Sequence, residues 1–258
     1  MRKALPLLLL CGCAALPETA PSPSSASIDR APVAPLDPGA YAQASLHFKV
    51  ETYGADRARR ISDRAEALYQ TIMVDTNLFS FMPSGLYELV IYADRSEYAA
   101  KTGQPEWSGG AAYGNAIYSY DGPQLDLVLA HEMTHLVFHE FMARPRRDLL
   151  WVDEGLAVYE ESKAAGRGMP VGQPIPMTEM LAFVPMEHGT DSSMVGLWYA
   201  QAGSMVRYLV ERGGTLGFYQ FLQALKNGQD RDAAIRSSYG ARWGTFSGFY
   251  EDWKRNGI

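Results

Sequence analysis

The pentapeptide HEMTH, residues 131–135, is the most informative stretch of this sequence. It lies within segment 126–141, DLVLAHEMTHLVFHEF, which has the character of a continuous helix. On a helix, positions i and i+4 share a face about 6 Å apart, so the imidazoles of His131 and His135 can meet on one tetrahedral metal ion. Glu132 is offset by about 100°, where it can reach a metal-activated water without ligating the metal. The pattern predicts a catalytic metal site, whereas the alternative is a partly buried helix with two hydrogen-bonded histidines.

A second segment, WVDEGLA at residues 151–157, argues against that alternative. H-E-x-x-H followed by W-x-x-E-G-x-A at this separation resembles the gluzincin metallopeptidases, particularly the branch related to aminopeptidase N. The resemblance implies that His131, His135 and Glu154 hold one Zn²⁺ per chain and that Glu132 is the general base. Two helices joined by a short loop pack antiparallel, an arrangement that agrees with Glu154 as the third ligand. A His₂Glu set leaves a fourth position for water, which is typical of catalytic zinc.

The same resemblance implies roles for residues around the metal. Tyr199 opens the segment YAQAG and matches a family tyrosine whose hydroxyl stabilises the oxyanion, although it could equally be a core aromatic. Glu161 lies seven residues beyond Glu154 and matches a family glutamate that supports the zinc site. Zinc-bound histidines normally donate their other N–H to a carboxylate or carbonyl, and Asp153 or Asp126 could accept this hydrogen bond as well as Glu161.

The remaining histidines are not predicted to bind the metal. His139 follows His135 by four residues on the same helix face, but a straight helix carries it a full turn away from the metal. It is therefore predicted to be a hydrogen-bonded surface residue. His47 and His188 lie in no recognisable motif.

The Gly-rich stretch 107–120 alternates apolar and small residues and is predicted to be an edge strand. Gluzincins pair such a strand with the substrate backbone, which implies substrate contacts at Gly110, Ala111 and Ala112. Aminopeptidases of the branch carry Gly-x-Met-Glu-Asn there, with the glutamate gripping a free α-amine. No acid occupies the corresponding positions 109–115, so we expect an endopeptidase rather than an aminopeptidase.

Two rival interpretations stay open at this stage. One keeps the zinc but changes the substrate to an amide of the cell wall. The other is a lipid-anchored binding or scaffold module that keeps the fold without turnover, against which stands the presence of Glu132. The expected partner is a peptide or protein substrate.

The N-terminus has the features of a bacterial lipoprotein. Residues 1–12 carry a short positive start and an apolar core far below the roughly 20 residues of a membrane span. The end of this stretch resembles a lipobox, with Cys13 as the lipidated residue; an ordinary cleaved signal is the alternative. Residues 13–40 are rich in Pro, Ser and Ala and are predicted to be a tether. The expected location is the cell envelope, at the outer membrane facing the periplasm.

Composition and periodicity favour one globular catalytic domain over residues 41–258. Hydrophobic residues make up 47% of the chain, enough for a sizeable core, and the net charge of −6 argues against nucleic-acid binding. The predicted fold class is α+β and zincin-like, with a small mixed-sheet lobe at about 41–142 and a helical lobe at about 143–258. Strands are predicted at 46–52, 87–92 and 107–120, a loop at 166–195, and helices at 55–78, 94–101, 124–142, 150–165, 199–212, 216–226, 230–238 and 242–254.

Overall fold

The structure, a computed structural model, describes residues 33–79, 81–105, 108–144, 146–168, 170–185 and 192–257. The predicted signal, Cys13 and most of the predicted tether lie outside the described residues, as do Trp107 and His188.

Five strands form one mixed sheet in the order β1-β2-β3-β5-β4. The inner strands β2, β3 and β5 are parallel, whereas β1 and β4 are antiparallel to their single neighbours. The predicted strands 46–52 and 87–92 are confirmed as β2 and β3, while β1 was not foreseen. The strands are β1 Ala40–Ala44, β2 Phe48–Tyr53, β3 Tyr87–Tyr92, β4 Gly110–Tyr113 and β5 Ala116–Tyr120.

The single edge strand predicted at 107–120 is wrong, because this stretch forms a hairpin. Gly114 has φ of 61° and, with Asn115, makes the two-residue loop between β4 and β5. Gly at the first position of such a loop matches the twist of the flanking strands. Of these two strands, β4 lies at an edge of the sheet and β5 runs inside it.

Nine α-helices occur in the described part of the chain, and all elements after the sheet lobe are helical. The helices are α1 Ala55–Thr76, α2 Arg95–Thr102, α3 Leu125–Met142, α4 Leu150–Ala164, α5 Met177–Ala182, α6 Ser192–Gly213, α7 Thr215–Lys226, α8 Arg231–Tyr239 and α9 Phe246–Asn256. None of the helices that the described residues form is long and apolar enough to cross a bilayer.

The predicted loop at 166–195 needs correction, since it contains α5 and the start of α6. Its backbone is fixed by side chains of α6: Gln201 exchanges hydrogen bonds with the Ile175 backbone at 2.7 and 3.0 Å, and Trp198 Nε1 donates to the Met180 carbonyl at 2.9 Å. Buried Ile175 and Met180 give this proline-rich segment an apolar anchor that its composition did not reveal.

One apolar core joins the sheet lobe to the last helix. On α1, buried Ala58, Ile61, Ala65 and Ile72 recur at helical spacing and face the sheet and α3. α2 covers the opposite face of the sheet, where Tyr98 packs in a smaller cluster. The main cluster extends without a break from β2 to α9. The predicted α+β class, with a small mixed sheet followed by helices, is confirmed.

The end of the predicted tether contacts this body. The Ala34 amide donates to the Lys101 carbonyl, and the Tyr92 hydroxyl donates to the Ala34 carbonyl at 2.8 Å. Lys101 Nζ binds the Pro35 carbonyl and the Asp37 carboxylate. Residues 33–37 are therefore attached to the domain.

Candidate metal centre

Helices α3 and α4 pack against each other and bring three predicted ligands together. His131 and His135 lie one turn apart on the buried face of α3, and their Nε2 atoms are 3.2 Å apart. Glu154 on α4 places its Oε2 at 3.5 Å from His135 Nε2 and 4.0 Å from His131 Nε2. All three side chains are buried, and one ligand atom of each lies within 4.8 Å of the others.

A different carboxylate faces the far nitrogen of each histidine. His131 Nδ1 is 3.0 Å from Glu161 Oε2, and His135 Nδ1 is 2.7 Å from Asp153 Oδ1. Carboxylates at these nitrogens favour the tautomer with hydrogen on Nδ1, which leaves the Nε2 lone pair for a metal. Asp126, the third sequence candidate for this role, pairs with Arg64 instead.

Asp153 is itself held by a third imidazole. His139 Nε2 lies 2.5 Å from Asp153 Oδ2, and the His139 side chain is 61% exposed. Although burial opposes it, attraction to His135 and hydrogen bonds from His135 and His139 hold the pKa of the Asp153 carboxyl well below its usual range. His139 is thus the hydrogen-bonded surface residue predicted from the sequence, but its contact with Asp153 was not foreseen.

The residues present fit a metal ion. With Nδ1–H of both histidines directed at carboxylates, two Nε2 lone pairs point into one space 3.2 Å apart, which is unfavourable unless a cation lies between them. Among the described residues, Glu154 Oε2 is buried and has no hydrogen-bond partner. Such an oxygen costs about 1–3 kcal/mol when left unsatisfied. Two imidazoles and one carboxylate are the donors of a catalytic zinc site.

The two predicted catalytic residues lie on different helices. Glu132 follows His131 on α3 and is fully buried. Tyr199 is buried on α6, where its ring meets Trp198 edge to face with 5.3 Å between the ring centroids. α6 packs along α4, the helix that carries Glu154.

Two glycines explain how α6 comes so close to α4. A Cβ on Gly155 would lie 2.6 Å from the Ala202 carbonyl oxygen and 2.8 Å from Val206, and a Cβ on Gly203 would collide with Val158. Both glycines come from the sequence segments that carry Glu154 and Tyr199. The absence of a side chain at each therefore fixes the distance between the two helices.

Strand β4 forms the edge of the sheet beside the metal helix. It contains Gly110, Ala111 and Ala112, and β5 is its single strand partner among the described strands. A Cβ on Gly109 would lie 2.8 Å from Val128 of α3, and one on Gly110 would lie closer still. These glycines let α3 pack directly against the edge strand.

Comparisons with known proteins agree with this arrangement. Residues 75–256 match the model of the Peptidase MA superfamily. The solved structure of native yeast LTA4 hydrolase is similar, with a TM-score of 0.52 and 16% sequence identity over 83% of this chain and 38% of that chain. This chain thus corresponds to well under two thirds of that protein, and at this identity the likeness shows the fold alone. No curated protein sequence matches the chain. Because the family model covers more than half of the chain, including α3 and α4, the chain belongs to the Peptidase MA superfamily.

Proposed function

We propose that this protein is a zinc-dependent peptidase whose metal is held by His131, His135 and Glu154. The observation that carries the proposal is the buried Glu154 Oε2, which has no hydrogen-bond partner among the described residues and faces two imidazole nitrogens that are 3.2 Å apart. Membership of a peptidase superfamily supports a peptide or protein substrate. Zinc, when bound, polarises the scissile carbonyl and lowers the pKa of water towards about 7.

Glu132 supplies the base in this proposal. Its carboxylate takes a proton from the attacking water and passes it to the nitrogen of the leaving amine. The Tyr199 hydroxyl donates a hydrogen bond to the oxyanion that develops on the carbonyl oxygen. Glu161 and Asp153 keep the two histidines in the orientation that ligation needs, through contacts of 3.0 and 2.7 Å.

The substrate backbone pairs with the free edge of β4. Strand addition uses main-chain hydrogen bonds and therefore suits an extended peptide of any sequence. The β4 residues Gly110, Ala111 and Ala112 offer no carboxylate to a substrate α-amine. This supports cleavage within a chain rather than removal of its first residue.

We further propose that the chain is attached to the bacterial outer membrane through a lipid on Cys13, facing the periplasm. The attachment of residues 33–37 to the domain leaves residues 13–32 as the tether between lipid and enzyme. Expression of the full chain with labelled fatty acid tests this. Label and membrane recovery are expected for the wild type and lost in Cys13→Ser, and label retained in that variant contradicts the assignment.

The test of the enzymatic proposal compares the full chain with Glu132→Gln and with Glu251→Gln, a control carboxylate on α9. Metal content is measured together with hydrolysis of an internally quenched peptide library and of peptidoglycan fragments. We expect one zinc per chain in all three proteins and a loss of about 10²–10⁴-fold in peptide hydrolysis for Glu132→Gln alone.

Each of the other outcomes contradicts one part of the enzymatic proposal. Zinc without turnover in the wild type favours the binding-module interpretation, and cleavage of peptidoglycan amides alone favours the cell-wall hydrolase. A chain that takes up no metal overturns the whole proposal.

A further inference from the structure

A cavity opens beside the candidate metal centre, on the side of α3 that precedes the histidines. It measures about 670 Å³ including its open mouth. His131 and Glu161 line it from α3 and α4, and Arg95 and Tyr120 line it from α2 and β5. Apolar side chains of α3, among them Val128, also belong to its lining. A substrate residue next to the scissile bond would have room here.

Arg95 is held in place by a neighbouring tyrosine. Its Nε and Nη2 donate to the Tyr120 hydroxyl at 3.1 and 2.9 Å, and its guanidinium carbon lies 5.6 Å from the Tyr120 ring centroid. These contacts orient the guanidinium without neutralising it. Arg95 is exposed and lies on the lining of the cavity.

The carboxylates that neighbour Arg95 and Tyr120 in sequence have other partners. Asp94 accepts the Glu97 amide at the start of α2, and Glu97 binds Tyr53, the Ala93 amide and Lys101. Asp121, which follows Tyr120, pairs with Arg57 at 3.0 Å. No acid among the described residues forms an ion pair with Arg95, so its charge is available to a ligand.

The lining of the cavity therefore carries both an acidic and a basic side chain. The acidic one is Glu161, whose Oε2 lies 3.0 Å from His131 Nδ1. A substrate carboxylate would be repelled by Glu161 and attracted to Arg95, whose planar guanidinium forms strong, directional hydrogen bonds with carboxylates. The apolar part of the lining suits the methylene groups of such a residue.

We propose that Arg95 makes this enzyme selective for substrates that carry a carboxylate on the residue occupying this cavity, beside the scissile bond. The inference rests on the proposed peptidase function. The carboxylate belongs either to an Asp or Glu side chain or to the C-terminus of the peptide. In both cases Arg95 acts by binding the substrate and takes no part in the proton transfers.

The test uses the full chain with zinc and peptides that differ at one position flanking the cleaved bond. Glu, Gln and Lys are compared at that position, and each short peptide is made with a free or an amidated C-terminus. Hydrogen bonds to a charged group are stronger than those between neutral groups, so we expect kcat/KM to favour the carboxylate by about 10-fold or more. A higher kcat/KM for the Glu peptide than for the Gln peptide identifies a side-chain carboxylate. A higher kcat/KM for the peptide with a free C-terminus than for its amidated form identifies the terminal carboxylate.

Arg95→Gln is the variant, and Arg59→Gln, an exposed arginine on α1, is the matched control. Arg95→Gln is expected to lower kcat/KM for the carboxylate peptides to the level of the Gln or amidated peptides and so abolish the preference, whereas Arg59→Gln keeps the wild-type preference and activity. Equal preference in Arg95→Gln and the wild type overturns the inference, and so does a wild type without preference. Unfolding midpoints of all three proteins establish that the variant folds.

A second measurement separates this inference from the proposed function. Calorimetric binding of the same peptides is compared between Glu132→Gln and the double variant Glu132→Gln with Arg95→Gln. One outcome is that the wild type cleaves no peptide, while the carboxylate peptides bind to Glu132→Gln at least about 10-fold more tightly than to the double variant. In that case the peptidase proposal fails and the Arg95 site stands. Peptides that bind both proteins equally, or neither, overturn the Arg95 site.

Discussion

Helix α4 carries two buried glutamates whose surroundings are opposite in character. Glu154 and Glu160 are 6% and 2% exposed, and each has one carboxylate oxygen without a hydrogen-bond partner among the described residues. Six residues separate them along the helix, which turns them by about 240° to different faces. Glu154 faces α3 with its two imidazoles, whereas Glu160 lies near Asp75 of α1.

The neighbouring residues determine which group satisfies the unpaired carboxylate oxygen of each glutamate. Glu154 meets two imidazole nitrogens whose lone pairs face one another, so a cation satisfies all three groups. Glu160 meets a carboxylate that already pairs with Lys163. Burial, and then the charge of Asp75, raise the pKa of Glu160 well above its ordinary value. The protonated form of Glu160 is therefore favoured, and a buried oxygen without a partner indicates a metal only where its neighbours are themselves metal donors.

The largest expected effect is on zinc affinity, when Glu154→Gln is compared with Glu160→Gln. Glu154→Gln removes a charged ligand and is expected to weaken zinc binding by more than about 100-fold, the upper end of what residues that merely orient ligands contribute. Glu160→Gln keeps the shape of the protonated side chain and should leave zinc affinity unchanged. Competition with a chromogenic chelator measures the zinc affinity of both variants. Equal losses of zinc affinity would contradict the contrast between the two glutamates.

A smaller effect is expected from the carboxylates that orient the histidines. Asp153→Asn and Glu161→Gln should each weaken zinc binding by about 10–100-fold, because the amide accepts the imidazole N–H less strongly than the carboxylate. His139→Gln is expected to have a weaker effect of the same sign, since it contacts Asp153 and not the metal. The chelator competition applies again. Zinc affinity unchanged in Asp153→Asn would show that the 2.7 Å contact with His135 does not support ligation.

The place of Glu154 on α4 could be predicted from sequence, because two short motifs that resemble those of the gluzincins contain Glu154 and the two histidines. The spacings in HEMTH and WVDEGLA fix which side chains share a helix face, and the helix pattern fixed α3 and α4 to within about two residues. The contact between His139 and Asp153 could not be derived, because it depends on the rotation of α4 relative to α3. The hairpin β4–β5 was missed for a related reason, since an alternating Gly-rich stretch does not show whether Gly114 lies in a strand or at a turn.

The face that carries Glu160 could not be predicted at all. Its environment comes from Asp75, which lies far away in sequence at the end of α1. The family resemblance predicted a role for the adjacent Glu161, which contacts His131, but nothing in the segment indicates that Glu160 is buried beside an acid. Tertiary packing alone gives Glu160 its environment.

The smallest expected effect is on the free energy of unfolding, which should depend on pH differently in Glu160→Gln and the wild type. Since the folded-state pKa of Glu160 is raised above its unfolded value of about 4.3, its contribution to stability is full below that pH and is lost as the pH rises through the folded-state pKa. Glu160→Gln cannot ionise, and its amide can donate to Asp75 at every pH. Its free energy of unfolding should therefore exceed that of the wild type increasingly towards neutral pH, by on the order of 1 kcal/mol.

Urea unfolding of the wild type, Glu160→Gln and the exposed control Glu179→Gln between pH 4.5 and 8, in excess chelator, measures this difference. All three proteins share the same metal-site residues, so titration of the histidines cancels when their curves are subtracted. A Glu160→Gln curve that runs parallel to the wild type, as the Glu179→Gln curve should, would mean that Glu160 is ionised in the folded protein. In that case Lys163 would have to satisfy both Glu160 and Asp75, and the two glutamates of α4 would each be completed by a cation.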